Sequence, residues 1–398
     1  MGDTGPKLRI AMFGTRGVPA AYSGFETAVE EVGRRLVERG HEVTVYCRTK
    51  TEEKPKEYLG MKLVHLPALR SKTLETLSHT GFSAIHAFFH RRQDISFVFN
   101  AANAPFLPLI RWRRVPVAVH VDGLEWKRGK WSNLGKQYYR RAEQYCVRWG
   151  DALISDAQGI ADYYTREFGI ESALISYGSK ILRTPKPELI EPLGLKPGGY
   201  HLVVARFEPE NHVDLIVEGY SASDARLPLV VVGSAPYAAE YTDRIAAVAA
   251  TDPRIHMLGG VWDQDLLDQL YANSLEYFHG HSVGGTNPSL LRAMGAGAAV
   301  AAFDVSFNRE VLGDDGSFFR DAADVAERVV SAESRAEELR ATGERLQARA
   351  ERNYDWDAVA TGYEELAQRL MTGYSTRGKR SGSRSGSTWS DETAASPR

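Results

Sequence analysis

Residues 279–310 read HGHSVGGTNPSLLRAMGAGAAVAAFDVSFNRE, which predicts a glycine loop, a short helix, a buried strand and a polar loop. Gly284 and Gly285 have no Cβ, so the backbone can approach a ligand closely there. Asn287 suits the cap of a helix and Pro288 its first turn, where a missing N–H costs nothing. Free N–H groups at this helix start would favour an anion, although an ordinary capped helix fits the same pattern.

The length and composition of the chain indicate a globular protein of two domains. A chain of 398 residues is long for one domain, and the formal net charge of -2 is not the basic balance of a nucleic-acid-binding protein. Cys47 and Cys146 form no metal-binding or disulfide pattern, which fits the cytosol. No apolar run approaches the roughly 20 residues of a spanning helix, and no signal-peptide core is present, so any membrane association is expected to be peripheral.

The first half of the chain follows the pattern of a βαβ unit. A strand is expected at 8–13, a glycine turn at 14–19, a helix at 28–39 and a second strand at 41–47. This order predicts a parallel, doubly wound sheet. The G-x-G-x-x-G fingerprint and the P-loop lysine motif are absent, so NAD and ATP chemistry are not expected. Further strands are expected at 62–66, 95–100, 115–120 and 152–155.

The second half restarts the same pattern after a Pro- and Gly-rich segment. Strands are expected at 201–205, 229–232, 255–258 and 275–278, with helices at 213–221 and 263–272. Ligands of such sheets bind beyond the carboxyl ends of the strands, and the stretch from His279 follows such an end. The predicted division is a domain at 7–182, a linker at 183–199, a domain at 200–352, a closing helix at 353–372 and a disordered tail at 373–398.

Residues 111–148 are basic and rich in aromatic side chains. They contain ten Lys or Arg and three Asp or Glu. A surface of this kind can bind nucleic acid or an anionic membrane, and the membrane is the preferred hypothesis. The alternative is a solvated helix face with aromatic residues in the core. The aromatic residues concerned are Trp112, Trp126, Trp131, Tyr138 and Tyr139.

Five separate segments carry a resemblance to a known family: GTRGVPAAYSGFETAVEEV, VDGLEWKRGKW, ARFEPEN, HGHSVGGTNPSLL and FDVSFNREVLG. Together they resemble the bacterial rhamnosyltransferase-like branch of the retaining family-4 glycosyltransferases, which build capsule, exopolysaccharide or cell-wall glycans. The resemblance covers residues 7–372. It implies an α/β protein of the GT-B fold, with two Rossmann-like domains whose parallel sheets face across a cleft. A C-terminal helix, introduced by Tyr354, Asp355 and Trp356, is then expected to cross back onto the N-terminal domain.

The resemblance also implies a donor site in the second domain. Arg206 matches the arginine that clasps the donor diphosphate, and the neutral Asn211 stands at the accompanying lysine position. The wider family has paired glutamates at the positions of Gly284 and Arg292. An arginine cannot accept hydrogen bonds from ribose hydroxyls, so Arg292 would pair with a phosphate or point elsewhere. The donor-binding residues are expected to be Gly17, Arg206, Asn211, Gly284, Gly285, Thr286, Asn287 and Arg292.

The catalytic and acceptor residues implied by the resemblance lie mainly in the first domain. His120 follows a strand at the position of a histidine that reaches the donor sugar, although a histidine at a strand end is often structural. Asp122 would orient the acceptor hydroxyl or cap a turn. The expected catalytic residues are Arg206, His120 and Asp122, and the expected acceptor-binding residues are Glu26, Glu125, Trp126, Lys127 and Arg128.

These assignments predict a glycosyltransferase at the cytoplasmic face of the membrane. It would move a hexose or deoxyhexose from a nucleotide-diphosphate sugar to a glycan or lipid-linked acceptor, with retention at the anomeric carbon. A preference for dTDP-rhamnose as the donor is implied by the resemblance to the rhamnosyltransferase-like branch alone. No metal or other cofactor and no nucleic acid is expected. Two alternatives remain open: a nucleotide-sugar epimerase or hydrolase on the same fold, and a degenerate, non-catalytic protein that binds nucleotide sugar or glycan.

Overall fold

The computed structural model describes residues 6–20, 24–49, 54–69, 71, 74–90, 92–121, 123–129, 131–234 and 239–377. The chain forms two compact units. Unit 1 consists of residues 1–127, 131–177 and 356–398, and unit 2 of residues 128–130 and 178–355. Each unit contains its own sheet.

Unit 1 is built on an eight-stranded sheet in the order β3-β4-β2-β1-β5-β6-β7-β8. All neighbours are parallel except β3 and β4. The strands are β1 (Arg9–Phe13), β2 (Glu42–Arg48), β3 (Glu57–Tyr58), β4 (Met61–Leu66), β5 (Ile95–Phe99), β6 (Val117–Val121), β7 (Ala152–Ser155) and β8 (Ala173–Leu174). The helices that follow them are α1 (Gly24–Glu38), α2 (Glu75–Phe89), α3 (Leu107–Ile110), α4 (Asn133–Trp149) and α5 (Gln158–Phe168).

Unit 2 is built on a six-stranded, fully parallel sheet in the order β11-β10-β9-β12-β13-β14. Its strands are β9 (His201–Val204), β10 (Leu229–Val232), β11 (Ile255–Gly259), β12 (Glu276–His279), β13 (Val300–Phe303) and β14 (Ser317–Phe319). Its helices are α6 (Val213–Ser221), α7 (Ala239–Thr251), α8 (Gln264–Ala272), α9 (Pro288–Gly295), α10 (Ser306–Leu312), α11 (Ala322–Glu333) and α12 (Ala336–Asn353).

The last helix, α13 (Trp356–Met371), returns to unit 1 and packs against α1. Arg35 of α1 and Arg39, which directly follows α1, hydrogen-bond to Asp357, and Arg39 also pairs with Glu364 at 2.8 Å. Its apolar face, which includes Val359, Ala360 and Leu366, is buried. The predicted α/β class, with two parallel sheets and a helix that returns to the first domain, is therefore confirmed.

The burial patterns explain why these elements form. All residues of β5 and β6 are buried, as expected for central strands of a sheet that is covered on both faces. In α1 the residues that are buried recur every three or four positions, so one stripe faces the core: Ala28, Val29, Val32 and Leu36.

Two sequence-based expectations need correction: the polar loop near residue 304 and the first residues of the tail. The polar loop expected near residue 304 is wrong, because α10 occupies Ser306–Leu312 and buries Asn308, Val311 and Leu312 on one face. The first residues of the expected tail are anchored, since Thr376 donates from its backbone to Asp151 O at 2.8 Å. The rest of that expected tail, residues 378–398, lies outside the described residues. In the part of the chain that is described, no helix has the length and apolar character needed to cross a bilayer.

Candidate functional site

The sheet of unit 2 has a topological switch point between β9 and β12. These two strands are neighbours, and the strand order runs away from them in opposite directions. In doubly wound sheets, ligands bind outside the carboxyl ends of the strands at such a point. The loop 205–212 follows β9 and the loop 280–287 follows β12, so the expected donor residues Arg206, Asn211 and 284–287 lie at one edge.

The two loops are held together by close backbone contacts. A Cβ on Gly280 would lie 2.1 Å from the carbonyl oxygen of Asn211, so only glycine fits there. The backbone N–H and the hydroxyl of Ser282 both donate to Glu210 O, at 2.9 and 3.0 Å. The side-chain amide of Asn211 donates to Arg206 O at 2.8 Å. Asn211, which stands at the lysine position of the family, is therefore a buried structural link.

Two arginines flank two buried glutamates at the same edge. Arg206 is about 40% exposed, and its Nη2 lies 3.5 Å from Glu208 Oε2. Arg128 belongs to unit 2, where its Nη1 lies 3.8 Å from Glu210 Oε1 and 3.9 Å from Glu208 Oε2. The partial exposure of Arg206 leaves its guanidinium accessible to an anion. The structure thus places Arg128, expected among acceptor residues, beside the donor residue Arg206.

Two stacked histidines stand where β12 ends. The rings of His279 and His281 are 4.4 Å apart and nearly parallel. His279 Nδ1 is 2.9 Å from the hydroxyl of Tyr277. Among the described residues, neither His279 Nε2 nor His281 Nδ1 has a hydrogen-bond partner, and both atoms are buried. A buried polar atom of this kind normally has a partner, so both nitrogens retain unused hydrogen-bonding capacity.

Both histidines are held in the neutral form. Burial lowers the pKa of His279 to about 3. Burial lowers the pKa of His281 well below its usual value, and the neighbouring His279, Arg206 and Arg128 further disfavour a positive charge there. The positive charge of both arginines therefore reaches the end of β12. These histidines were not assigned from the sequence, although their spacing of two residues at a strand end places them on one face.

The start of α9 agrees with the local prediction. The Asn287 side chain accepts a hydrogen bond from the Ser289 N–H at 2.9 Å, and Pro288 is the first helical residue. Gly284 has a φ of +139°, which side chains rarely adopt, and a Cβ there would meet no atom within 4 Å. The cap and the open glycine are confirmed, whereas the donor-binding roles of Gly284, Gly285, Thr286 and Asn287 stay predictions.

Arg292 is engaged within unit 2 by a neighbouring helix. Its Nε donates to Asp268 Oδ1 at 2.6 Å, and its Nη1 and Nη2 donate to Gln264 of α8 at 2.8 Å. Lys180 Nζ also pairs with Asp268, at 2.7 Å. These hydrogen bonds of the Arg292 guanidinium join α9 to α8, and its role in donor binding stays a prediction.

In unit 1 the switch point lies between β1 and β5, and the glycine turn follows β1. Gly17 has a φ of +101°, and a Cβ there would lie 2.4 Å from Cys47 Sγ. This glycine is therefore required for the close packing of the turn on β2. The role of Gly17 in donor binding stays a prediction.

His120 lies buried in β6 within unit 1. Its Nδ1 is 2.7 Å from the hydroxyl of Tyr363 of α13, and Phe25 meets its ring edge-on at 5.1 Å. Burial lowers the pKa of His120 to about 3. Within the described ranges, Nε2 is buried and has no hydrogen-bond partner. The neutral ring is therefore fixed by Tyr363, and its Nε2 retains unused hydrogen-bonding capacity. The role of His120 at the donor sugar stays a prediction.

Two of the expected acceptor residues of unit 1, Glu26 and Glu125, are buried. Glu26 is 2% exposed, and its Oε1 lies 4.0 Å from Arg16 Nε. Glu125 Oε2 accepts a hydrogen bond from the indole N–H of Trp131 at 3.1 Å. Asp122 lies outside the described residues. These contacts give Glu26 and Glu125 structural partners, and their acceptor roles stay predictions.

The expected basic and aromatic surface is divided by the fold. Two cations lie near the ring of Trp126, with Lys127 Nζ at 5.6 Å and Arg140 at 5.0 Å from its centroid. Trp126 and Tyr138 pack against the core, and Tyr139 is buried. Trp112, in contrast, is 72% exposed. The prediction of one continuous surface over residues 111–148 is therefore wrong, because the apolar face of α4 packs on the sheet.

Metal-ligating side chains do not cluster in the part of the chain that is described. No group of three or more His, Cys, Asp or Glu residues there is arranged to hold a metal ion.

Two family models match the chain in succession. Residues 23–177 match a glycosyl transferase 4-like domain, and residues 199–334 match the glycosyl transferases group 1. A comparison with curated protein sequences gives no significant match. The two matched regions lie on the two units and together cover more than two thirds of the chain.

Solved structures share the fold across the whole chain. Sucrose-phosphate synthase from Thermosynechococcus elongatus is 19% identical, with a TM-score of 0.77, over 92% of this chain and 100% of that chain. HepE from Anabaena, solved with UDP-glucose, is 14% identical, with a TM-score of 0.73, over 91% and 100%. A trehalose-phosphate synthase from Burkholderia xenovorans, solved with glucose-6-phosphate, is 12% identical, with a TM-score of 0.65, over 91% and 100%. The two family matches identify the chain as a glycosyltransferase, and the solved structures show that it shares the GT-B fold.

Proposed function

We propose that the chain transfers a hexose or deoxyhexose from a nucleotide-diphosphate sugar to a hydroxyl group of a glycan or lipid-linked acceptor. The observation that supports this best is the position of Arg206. Its side chain, which is about 40% exposed, stands at the carboxyl edge of β9, where the loop that carries Gly284 and the start of α9 also lies. An arginine and free helix N–H groups are suited to a diphosphate.

The proposed chemistry is substitution at the anomeric carbon with retention. The bond from this carbon to the diphosphate oxygen breaks, and a bond to the acceptor oxygen forms on the same face. The acceptor proton passes to the departing diphosphate, so no enzymatic nucleophile is required. Arg206 and the α9 N–H groups stabilise the charge that develops on the leaving group. No metal or other cofactor takes part in this scheme.

The neutral histidines extend the scheme at the reacting end. His281 Nδ1 and His279 Nε2 are buried beside the glycine loop, and neutral rings can accept or donate hydrogen bonds to sugar hydroxyls. In this scheme, a nucleotide-diphosphate sugar places its diphosphate at Arg206 and its sugar near the end of β12. Asn211 cannot contribute a charge, so Arg206 carries more of the neutralisation.

Donor identity is open to a direct screen. UDP-glucose is a rational first donor because HepE, a structural neighbour, was solved with it, and dTDP-rhamnose is the second because of the sequence resemblance. The screen measures released nucleotide with and without a membrane extract as acceptor. Release that depends on acceptor supports transfer. Release without acceptor supports the hydrolase, conversion of the donor into another nucleotide sugar without release supports the epimerase, and binding without any turnover supports the degenerate binding protein.

The biological setting follows from the same proposal. The product would be a cell-surface polysaccharide or its lipid-linked precursor, made at the cytoplasmic face of the membrane where nucleotide sugars are available. Analysis of the acceptor that becomes labelled from a radioactive donor tests this assignment. A labelled small soluble sugar, in place of a glycan or lipid, would contradict it.

A further inference from the structure

The helix α2 buries polar side chains and exposes apolar ones. His79, Thr80 and Ser83 are fully buried. Phe82, Ile85 and Phe89 are exposed by 41%, 48% and 75% of their surface. This is the reverse of the pattern on a helix at the surface of a water-soluble domain, so the exposed face of α2 is suited to an apolar environment.

The exposed apolar residues form one continuous stripe. Phe82, Ile85 and Phe89 are three and four positions apart, so they lie on one face of α2. Exposed Leu74, just before the helix, lies on the same face. The stripe continues to the next segment through Phe88, whose ring is 6.3 Å from that of the exposed Trp112.

The end of α2 and the segment of Trp112 are joined by a hydrogen bond. Arg113 Nη1 donates to His90 O at 2.9 Å. His90 precedes β5 and Trp112 precedes β6, so this region lies at the amino edge of the parallel sheet. The carboxyl edge of the sheet, which carries His120, is at the other end of the same strands, away from the stripe.

Positive charge lies at the C-terminal end of the stripe, whereas Glu75 at its N-terminal end pairs with Arg48 at 3.1 Å. Arg92, Arg113 and Arg114 are exposed beside it. The sequence contains no Asp or Glu at 76–93 or at 95–121. Asp94, between these segments, pairs with Arg9. The stripe is therefore apolar along its length and cationic at its C-terminal end.

We propose that this region binds the surface of an anionic lipid bilayer. It is called the α2 surface and consists of Leu74, Phe82, Ile85, Phe89 and Trp112 with Arg92, Arg113 and Arg114. Aromatic and aliphatic side chains enter the headgroup boundary, and the arginines meet anionic headgroups. A second copy of the chain is a poorer occupant, because a two-fold interface would bring the same arginines of both copies together. The proposal does not depend on the identity of the donor sugar.

The test is sedimentation of the full chain with vesicles of phosphatidylcholine alone or with one third phosphatidylglycerol. We expect binding to the anionic vesicles, at least tenfold weaker binding to neutral ones, and a loss of affinity as salt is raised. The triple variant Phe82→Ser, Ile85→Ser, Phe89→Ser and the double variant Arg113→Gln, Arg114→Gln should each lose at least tenfold in affinity. Trp262→Ser is the matched control, since Trp262 is 66% exposed in unit 2, and it should bind like the native chain.

Three outcomes would overturn the proposal. One is the absence of binding to anionic vesicles. Another is equal binding by the native chain and the triple variant, provided that circular dichroism shows both to be folded. The third is a native dimer by light scattering that the triple variant converts to a monomer, which would assign the surface to a second copy. Nucleotide release measured with a soluble acceptor is independent of these outcomes and reports on the proposed transferase alone.

Discussion

Arg292 Nε and Asp268 Oδ1 lie 2.6 Å apart and join α9 to α8. Asp268 is buried and is also bound by Lys180. In the glycosyltransferases that the sequence resembles, the position of Arg292 usually carries a carboxylate. Here the carboxylate lies on the adjacent helix, and the arginine is its partner. The contacts of Arg292 within unit 2 therefore explain how this residue is accommodated without a ligand.

Removal of the Arg292 side chain should destabilise the protein. Arg292→Met leaves the buried Asp268 with Lys180 as its remaining partner, so we expect a loss of about 1–3 kcal/mol in the free energy of unfolding. Urea denaturation of Arg292→Met, Asp268→Asn and the double variant measures the interaction between the two. If the losses in the free energy of unfolding from the two substitutions are additive, the interaction between Arg292 and Asp268 contributes nothing to stability.

Gly280→Ala should disrupt the contact between the two loops of unit 2. The added methyl group would meet Asn211 O at 2.1 Å, so the backbone must move. We expect a loss of about 2–4 kcal/mol, in the upper range for single substitutions, together with weaker donor binding. Gly159→Ala is the control: a Cβ there meets nothing within 4 Å inside α5, so stability should stay equal or rise by about 0.5–1 kcal/mol. Equal melting temperatures for the two variants would contradict the close packing of Gly280.

Acidification should destabilise unit 1 through His120. The pKa of His120 falls from about 6.5 in the unfolded chain to about 3 in the folded one, so the unfolded state takes up the proton first. The stabilisation is therefore complete above pH 6.5 and decreases as the pH falls towards 3. Between pH 7 and 5 the contribution of His120 to the free energy of unfolding should fall by roughly 2 kcal/mol.

The comparison of His120→Gln with the native chain isolates this effect. The variant should lose less stability between pH 7 and 5, as measured by urea denaturation at each pH. His256→Gln, at an exposed position, should keep the native pH dependence. The account is contradicted when His120→Gln and the native chain show the same slope.

The order of strands and helices was predictable because glycines, prolines and apolar runs mark it. The strand at 152–155 and the helix at 213–221 have the bounds that the sequence predicts. The start of α1 was expected at 28, but the helix begins at Gly24, and Phe25 in its first turn packs on His120. The loop expected near 304 was wrong because burial of Val311 and Leu312, which local polarity does not reveal, stabilises α10.

The parts of the site that depend on side-chain partners were less predictable. The Asn287 cap follows from local chemistry, and the structure confirms it. The partner of Arg292 lies 24 positions earlier on another helix, so no local pattern identifies it. In the same way, burial of Tyr139 follows from the packing of α4 on the sheet, and the aromatic pattern alone could not separate it from the exposed Trp112.

Chelation of metal ions should leave the proposed activity unchanged. The scheme assigns neutralisation of the leaving diphosphate to Arg206 and to backbone N–H groups, so no divalent ion is required. The measurement is the initial rate of nucleotide release after dialysis against EDTA, with and without added Mg²⁺ or Mn²⁺. A rate that falls more than tenfold on dialysis and recovers with one of these ions would contradict the scheme.

The most direct measurement is acceptor-dependent release of nucleotide by the native chain and by Arg206→Gln. The account predicts turnover of at least one nucleotide-diphosphate sugar by the native chain and a decrease in kcat of about 100-fold or more in the variant, because a donor to the departing diphosphate is lost. Arg340→Gln, at an exposed position on α12, should keep the native rate. Acceptor-dependent turnover that is unaffected by Arg206→Gln, or its absence from the native chain across the donor panel, would contradict the account.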